Sequence, residues 1–195
     1  MKGEEKYKMI LKAAKTVFAK EGFYTSKVSE IAKEAKVADG TIYLYFKNKE
    51  DILISLFEDE LTRIINLVKG ELEHLTDPRD KLKKFCDIHL NLVEEDKTLA
   101  EVIQVELRQS SKFMREYKNK HFLAYLKIIA DIVEEGKEKN IFKGDINPDL
   151  AARLIFGSLD EISTYWVTAR RRRFDVHEAA RTVGDILLGG LVTSH

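Results

Sequence analysis

A short segment near the N-terminus combines small, hydroxyl-bearing and cationic residues in close succession. These residues are Ala38, Asp39, Gly40, Thr41, Tyr43, Lys47 and Lys49. Small residues allow another molecule to approach closely, hydroxyl groups can reach base edges or phosphates, and lysines can neutralise phosphates as point charges. The combination predicts that this segment contacts nucleic acid.

The aromatic residues and lysines of this segment also fit an ordinary helix with a buried core side and a solvated surface. We adopt that interpretation for Phe46. For Tyr43 and Lys49 we favour a nucleic-acid contact, because a short polar and aromatic helix beside a basic corner is otherwise hard to explain. The formal net charge of the chain is zero, but its first fifty residues hold eleven lysines against seven acidic residues. Any nucleic-acid contact is therefore expected at this end of the molecule.

A second candidate site lies at Arg108 and Gln109, which follow an otherwise apolar helical segment. An arginine that is buried or lines a cleft must be paired, and its fork of donors suits a carboxylate or a phosphate. The partner is either a ligand or an internal carboxylate. The internal candidates are Glu106, Asp160 and Glu161.

Other reactive residues do not form a recognisable catalytic or metal site. The single cysteine, Cys86, excludes an internal disulfide framework and a cysteine-based zinc site. His89 and His121 lack further ligands at helical spacing, so no metal is predicted. No serine elbow or histidine-centred constellation is evident, and we therefore do not predict an enzyme.

Composition and spacing predict an all-α fold of about nine helices. Only two prolines and ten glycines interrupt 195 residues, of which 44% are hydrophobic and 34% charged. No apolar run approaches the about 20 residues that span a bilayer, and the chain begins without the apolar stretch of a signal peptide. We expect a cytoplasmic protein with no membrane partner.

The N-terminal helices are expected to form a three-helix domain that contains a helix-turn-helix. After an amphipathic first helix, Ser26 is expected to cap a second helix that ends near Lys36. A third short helix then begins near Asp39 and continues to Phe46. In this arrangement the start of the third helix enters the major groove. Residues 1–48 are predicted to form the DNA-binding domain, and residues 49–195 a helical bundle for ligand binding and dimerisation.

The bundle helices have clear start signals at Asn48, at Asp77-Pro78, at Asn147-Pro148 and at Asp175. An apolar helix is also expected from Thr98 to Gln109. The last two helices carry more apolar residues than a terminal pair normally needs, which indicates a dimer interface, with an ordinary core as the alternative. The predicted interface residues are Phe156, Leu159, Ile186, Leu187, Leu191 and Val192, beside Gly189 and Gly190.

The stretch VSEIAKEAKVADGTIYLYFKNKEDILISLF resembles the signature of TetR-family repressors. The resemblance implies a two-fold dimer on a palindromic DNA operator, with recognition helices about 34 to 36 Å apart. It implies phosphate contacts near Ser26, Lys47 and Lys49, and places residues 38–41 and Tyr43 toward the groove.

The segments ELRQS and IFGSLDEISTYWV resemble the FadR-type repressors of fatty-acid degradation in Gram-positive bacteria, which respond to long-chain acyl-CoA. This resemblance implies that Leu107, Arg108 and Gln109 recognise the polar part of that effector, and implies no cofactor. Side chains that can line an acyl channel, with core packing as the alternative, are Phe122, Leu126, Phe156, Leu159, Tyr165 and Trp166.

The run Arg170 to Arg173 is a further candidate for CoA phosphates, but it departs from the FadR pattern and a solvated helix end explains it more simply. Two other functions remain open. One is a TetR-type repressor that senses a different amphipathic molecule, such as a drug, and the other is an enzyme that binds acyl-CoA.

Overall fold

The computed structural model describes residues 2–106 and 120–193. Within these ranges the fold is all-α, with nine α-helices and one π-helical turn, which confirms the predicted fold class. The helices are α1 (Lys2–Glu21), α2 (Val28–Glu34), α3 (Asp39–Ile42), α4 (Lys49–Leu72), α5 (Pro78–Glu95), α6 (Lys97–Glu101), α7 (Lys120–Glu138), α8 (Pro148–Thr168) and α9 (Val176–Leu191), and the π-helical turn is Val102–Glu106.

The described residues form two compact units. The N-terminal unit consists of residues 2–60 together with 96–106, and the C-terminal unit consists of residues 61–95 together with 120–193. Helix α4 continues without interruption from one unit into the other. The functional division at residue 48 stays a prediction.

The core of the N-terminal unit is apolar and aromatic. Ile10 and Phe18 of α1 and Ile31 of α2 are fully buried. Phe46 is also buried, and its ring stacks on that of Tyr7 with 5.1 Å between the centroids. Phe46 is therefore a core residue, as the sequence indicated. Helix α6 and the π-helical turn pack on α1, where the Lys15 Nζ–Asp96 Oδ2 ion pair measures 2.6 Å.

Helix starts in the C-terminal unit follow the predicted side-chain caps. Asn147 Oδ1 accepts a hydrogen bond from the Leu150 amide at 3.0 Å, and Asp175 Oδ1 accepts one from the Glu178 amide at 2.7 Å. These oxygens satisfy amide groups that have no partner within the first turn of a helix. Asp77 does the same for the Arg79 amide at the start of α5.

The end of α7 packs closely on the segment that follows it. Asn140 adopts φ 54°, which lets the chain reverse, and the Phe142 amide then donates to the Gly136 carbonyl at 2.9 Å. The Phe142 ring is buried directly against the α-carbon of Gly136. The absence of a side chain at Gly136 is what admits this ring.

Three expectations about helix boundaries are wrong, one of them the predicted extent of α3 to Phe46, since α3 ends at Ile42. Ser26 does not cap α2, because its hydroxyl donates to the Phe23 carbonyl at 2.9 Å; Lys27 is the N-cap, and its amide donates to Glu30 Oε2 at 2.6 Å. The predicted α-helix from Thr98 is α-helical only to Glu101 and continues as the π-helical turn to Glu106. The remaining part of that prediction, which includes Gln109, lies outside the described residues.

Candidate nucleic-acid interface and ligand-binding core

The predicted helix-turn-helix consists of α2, a tight turn and the single turn of α3. The turn is a Schellman arrangement in which Lys36 adopts φ 54°, its amide donates to the Lys33 carbonyl, and the Val37 amide donates to the Ala32 carbonyl. On the inner side of α3, Ile42 is buried. The α3 backbone is thereby fixed with its other side chains outside the core.

Most of the predicted DNA-contacting residues are exposed in the structure. Ala38, Asp39, Gly40 and Lys47 are exposed, Tyr43 is 58% exposed, and Thr41 is half-buried. A side chain built at Gly40 would meet no atom within 4 Å, so the fold itself does not require glycine there. The open space in front of Gly40 is available to an approaching nucleic acid.

Two exposed residues of this surface were missed by sequence reasoning. Leu44 is 81% exposed and Tyr24 is 65% exposed. The sequence predicted that α3 continues to Phe46, but α3 ends at Ile42 and leaves Leu44 on the surface. An exposed leucine beside hydroxyl groups and lysines can make an apolar contact with a thymine methyl group.

Ser26 and Lys49 lie in a different environment from the other predicted contacts. Lys49 Nζ donates to the Tyr24 carbonyl at 3.0 Å and to the Ser26 carbonyl at 2.8 Å, and it lies 4.8 Å from the centre of the Phe23 ring. Burial lowers the pKa of Lys49. Ser26 is itself buried. Both residues hold the loop between α1 and α2, and their contact with DNA phosphate stays a prediction.

This geometry predicts that Lys49→Ala lowers the free energy of unfolding by about 1 to 2 kcal/mol, because two charge-assisted hydrogen bonds and a cation–π contact are lost. Urea unfolding would measure the change. Lys47→Ala is the matched control, since Lys47 is exposed and its loss is expected to change stability by less than about 0.5 kcal/mol. Equal stability of the two variants would contradict the structural role of Lys49.

The predicted ligand-lining residues divide into two sets. Leu126, Leu159 and Trp166 are buried, whereas Phe122, Phe156 and Tyr165 are half-buried. The last three take part in aromatic contacts, with 4.9 Å between the Phe122 and Phe156 centroids and 5.2 Å between those of Tyr165 and Phe174. Leu107, Arg108 and Gln109 lie outside the described residues.

Sequence reasoning missed a polar pair within the aromatic residues of the C-terminal unit. His89 Nδ1 lies 2.8 Å from the Tyr125 hydroxyl oxygen. The His89 ring lies 5.9 Å from the Phe156 ring, and the Phe85 and Tyr125 rings are 5.3 Å apart. Burial lowers the pKa of His89 to about 4 and raises the pKa of Tyr125, so both side chains are neutral near pH 7. His89 follows Phe85 by four positions, a spacing that places them on one side of α5.

All four residues of the arginine run from 170 to 173 are exposed. Arg172 packs against Trp166 with 3.7 Å between its guanidinium carbon and the ring centre, and its Nε donates to the Trp166 carbonyl at 2.9 Å. One member of the run is thus held by a structural contact, while Arg171 and Arg173 extend into solvent.

The predicted dimer residues are not equally available to a partner. Ile186 is 70% exposed, and Phe156, Leu187 and Val192 are half-buried. Leu159 and Leu191 are buried within the protomer. Further exposed apolar side chains, which sequence reasoning did not single out, are Leu150 and Leu154 of α8. A β-carbon added at Gly189 or Gly190 would meet no atom within 4 Å.

Two other kinds of feature are absent from the residues that the structure describes. They contain no group of three or more histidine, cysteine or acidic side chains able to hold a metal ion. No helix among them has the length and apolar character needed to cross a membrane.

Comparison with known families decides the class of protein. Residues 10–56 match the family described as bacterial regulatory proteins of the tetR family. Residues 57–190 match the family described as the C-terminal region of YsiA-like proteins. The chain belongs to the TetR family. These matches confirm the predicted TetR resemblance. They also confirm the prediction that the chain is a transcriptional regulator and not an enzyme.

Several TetR-family relatives are similar over nearly the whole chain. The fatty acid metabolism regulator protein of Bacillus subtilis is 40% identical over 186 residues, which cover 95% of each chain. A crystal structure of FadR from Bacillus subtilis in complex with stearoyl-CoA has a TM-score of 0.88 at 40% identity and covers 94% of this chain and 98% of its own. FadR from Bacillus halodurans has a TM-score of 0.86 at 40% identity, with 95% and 99% covered. This chain is a FadR-like member of the TetR family.

Proposed function

We propose that the protein represses genes of fatty-acid degradation as a homodimer on palindromic operator DNA, and that long-chain acyl-CoA releases it. The observation that carries this proposal is the 40% identity, over nearly the whole chain, to a fatty acid metabolism regulator whose structure contains stearoyl-CoA. The similarity extends through the C-terminal unit and therefore concerns the effector as well as the DNA.

The exposed surface of α3 supports operator binding. Thr41 and Tyr43 offer hydroxyl groups for bases or phosphates, Lys47 offers a positive charge, and Gly40 offers close approach. A two-fold dimer would present two copies of this surface about 34 to 36 Å apart, one DNA turn. The exposed apolar residues Leu154 and Ile186, on α8 and α9, are suited to dimer contact.

The aromatic residues of the C-terminal unit support an acyl ligand. Phe122 and Phe156 are close to one another yet only half-buried, so their remaining surface is available to an apolar chain. Arg108 would meet a CoA phosphate or the polar end of the thioester, and Gln109 would orient that group. Release requires that acyl-CoA bind more tightly to a dimer whose two DNA-binding surfaces have a spacing that does not fit the operator. A coupling free energy of about 3 kcal/mol between ligand binding and DNA binding weakens operator affinity about 150-fold.

We expect saturating stearoyl-CoA to weaken operator binding about 100-fold. The measurement is fluorescence anisotropy of a labelled DNA fragment, selected in vitro with the wild-type protein, titrated with and without the ligand. Coenzyme A and stearate serve as separate controls for the two halves of the ligand. Unchanged affinity with stearoyl-CoA would contradict the proposal and favour a different amphipathic effector.

The same assay tests Arg108. Arg108→Ala is expected to keep wild-type operator affinity and to raise the concentration of stearoyl-CoA needed for release by about tenfold, because a charge-assisted contact with the ligand is lost. If the concentration does not change, the partner of Arg108 is an internal carboxylate.

A further inference from the structure

Within the described residues, the His89–Tyr125 pair has one hydrogen-bond donor without an acceptor. A neutral imidazole carries one N–H and a neutral phenol carries one O–H, whichever ring nitrogen holds the proton. The 2.8 Å bond between Nδ1 and the hydroxyl oxygen uses one of these two hydrogens. Neither side chain makes another hydrogen bond with a residue of the described ranges. One donor therefore remains within an aromatic environment.

A buried donor without a partner destabilises the folded state, and most such groups in proteins have a partner. The rings of Phe85 and Phe156 contact His89, and the ring of Phe122 packs on that of Phe156. None of these rings offers an acceptor for a conventional hydrogen bond. His89 is nevertheless only half-buried, as are Phe122 and Phe156. The rings thus leave part of the pair accessible to a molecule that enters among them.

The charges near the pair indicate which kind of acceptor can bind its remaining donor. Burial lowers the pKa of His89 and keeps the ring neutral, so it cannot provide a positive charge for an anion. The carboxylate of Asp160 on α8 is close enough to act electrostatically on His89 and would repel a second carboxylate. A neutral carbonyl oxygen on an apolar chain fits these conditions, and a fatty-acid carboxylate does not.

We infer that His89 and Tyr125 bind the thioester carbonyl oxygen of the acyl effector and thereby distinguish acyl-CoA from free fatty acid. This inference rests on the proposed function and adds to it the residues that recognise the reactive end of the acyl chain. The aromatic rings contact the first carbons of the chain, and the pair donates its remaining hydrogen to the carbonyl.

The test compares stearoyl-CoA with S-octadecyl-CoA, a thioether in which a methylene group replaces the carbonyl. Isothermal titration calorimetry on the full-length protein gives both dissociation constants. The wild-type protein is expected to bind stearoyl-CoA about tenfold more tightly than the thioether, because only the thioester accepts the hydrogen bond. In the double variant His89→Phe/Tyr125→Phe this ratio is expected to fall to about one.

The double variant is suited to this test because it replaces both hydrogen-bonding partners with apolar groups of similar shape, a change that is close to neutral for stability. Unchanged operator affinity and thermal unfolding would verify its fold. Should it not fold, Tyr125→Phe alone is expected to lower the ratio about threefold, since His89 keeps its N–H but loses the group that orients it.

Each outcome decides the inference. A ratio near one in the wild-type protein, or a tenfold ratio that persists in the double variant or in Tyr125→Phe, overturns it while leaving the proposed function intact. Failure of the wild-type protein to bind stearoyl-CoA would contradict the proposed function and this inference with it.

Discussion

Gly136→Ala is expected to lower the free energy of unfolding by about 2 to 3 kcal/mol, because the new methyl group would overlap the Phe142 ring. The ring cannot easily move away. The amide of Phe142 is bonded to the Gly136 carbonyl, and the next residue, Lys143, donates to the Leu191 carbonyl at 2.9 Å. The strain therefore spreads to the contact with the end of α9. Urea unfolding followed by circular dichroism gives the measurement.

Gly70→Ala is the matched control for this substitution. Gly70 is exposed in α4, and a β-carbon there would meet no atom within 4 Å. The change is expected to stabilise the protein by about 0.5 to 1 kcal/mol, since alanine favours helix more than glycine does. If both substitutions stabilised the protein, the close packing of Phe142 on Gly136 would be wrong.

Gly40→Leu is expected to weaken operator binding about 100-fold while leaving stability nearly unchanged. The open space at Gly40 means that a leucine side chain fits the free protein. In the proposed complex that side chain would occupy the place of the DNA and separate Thr41 and Tyr43 from their contacts. The loss of two or more contacts of about 1 to 3 kcal/mol each gives this magnitude. Anisotropy with the selected operator fragment is the assay.

Gly70→Leu provides the comparison for the effect on DNA, because it adds the same side chain to an exposed helical glycine in the C-terminal unit. It is expected to keep wild-type operator affinity. If the operator affinity of Gly40→Leu stayed within about threefold of wild type, the assignment of α3 to the proposed interface would be wrong.

Helix starts were predictable from the sequence because their determinants are local. Asn147 and Asp175 each bond an amide three residues ahead, so the residue type and its spacing from the apolar pattern contain the needed information. Ser26 shows the limit of this reasoning. Its hydroxyl can bond either forward into α2 or back to Phe23, and the packing of the loop between α1 and α2 decides between them.

The surface of the candidate interface was largely predictable, whereas the role of each cation was not. Both Lys47 and Lys49 read as phosphate-binding charges in the sequence. Only the folded chain brings the carbonyls of Tyr24 and Ser26 within 3.0 Å of Lys49, across a separation of more than twenty residues. The His89–Tyr125 hydrogen bond is another such case, since 36 residues separate its partners. From the sequence alone, His89 was considered only as a metal ligand, and no metal site was predicted.

The packing of α6 on α1 also bears on how the chain folds during synthesis. The Lys15–Asp96 ion pair joins residues 81 positions apart, and Leu99 and Val102 beside it are buried. A ribosome that has made only the first sixty residues has therefore not yet supplied the segment that completes the N-terminal unit. Contacts of such long sequence separation slow folding. A truncated helix-turn-helix fragment would lack this segment, and the N-terminal unit is thus completed only after α6 has been synthesised.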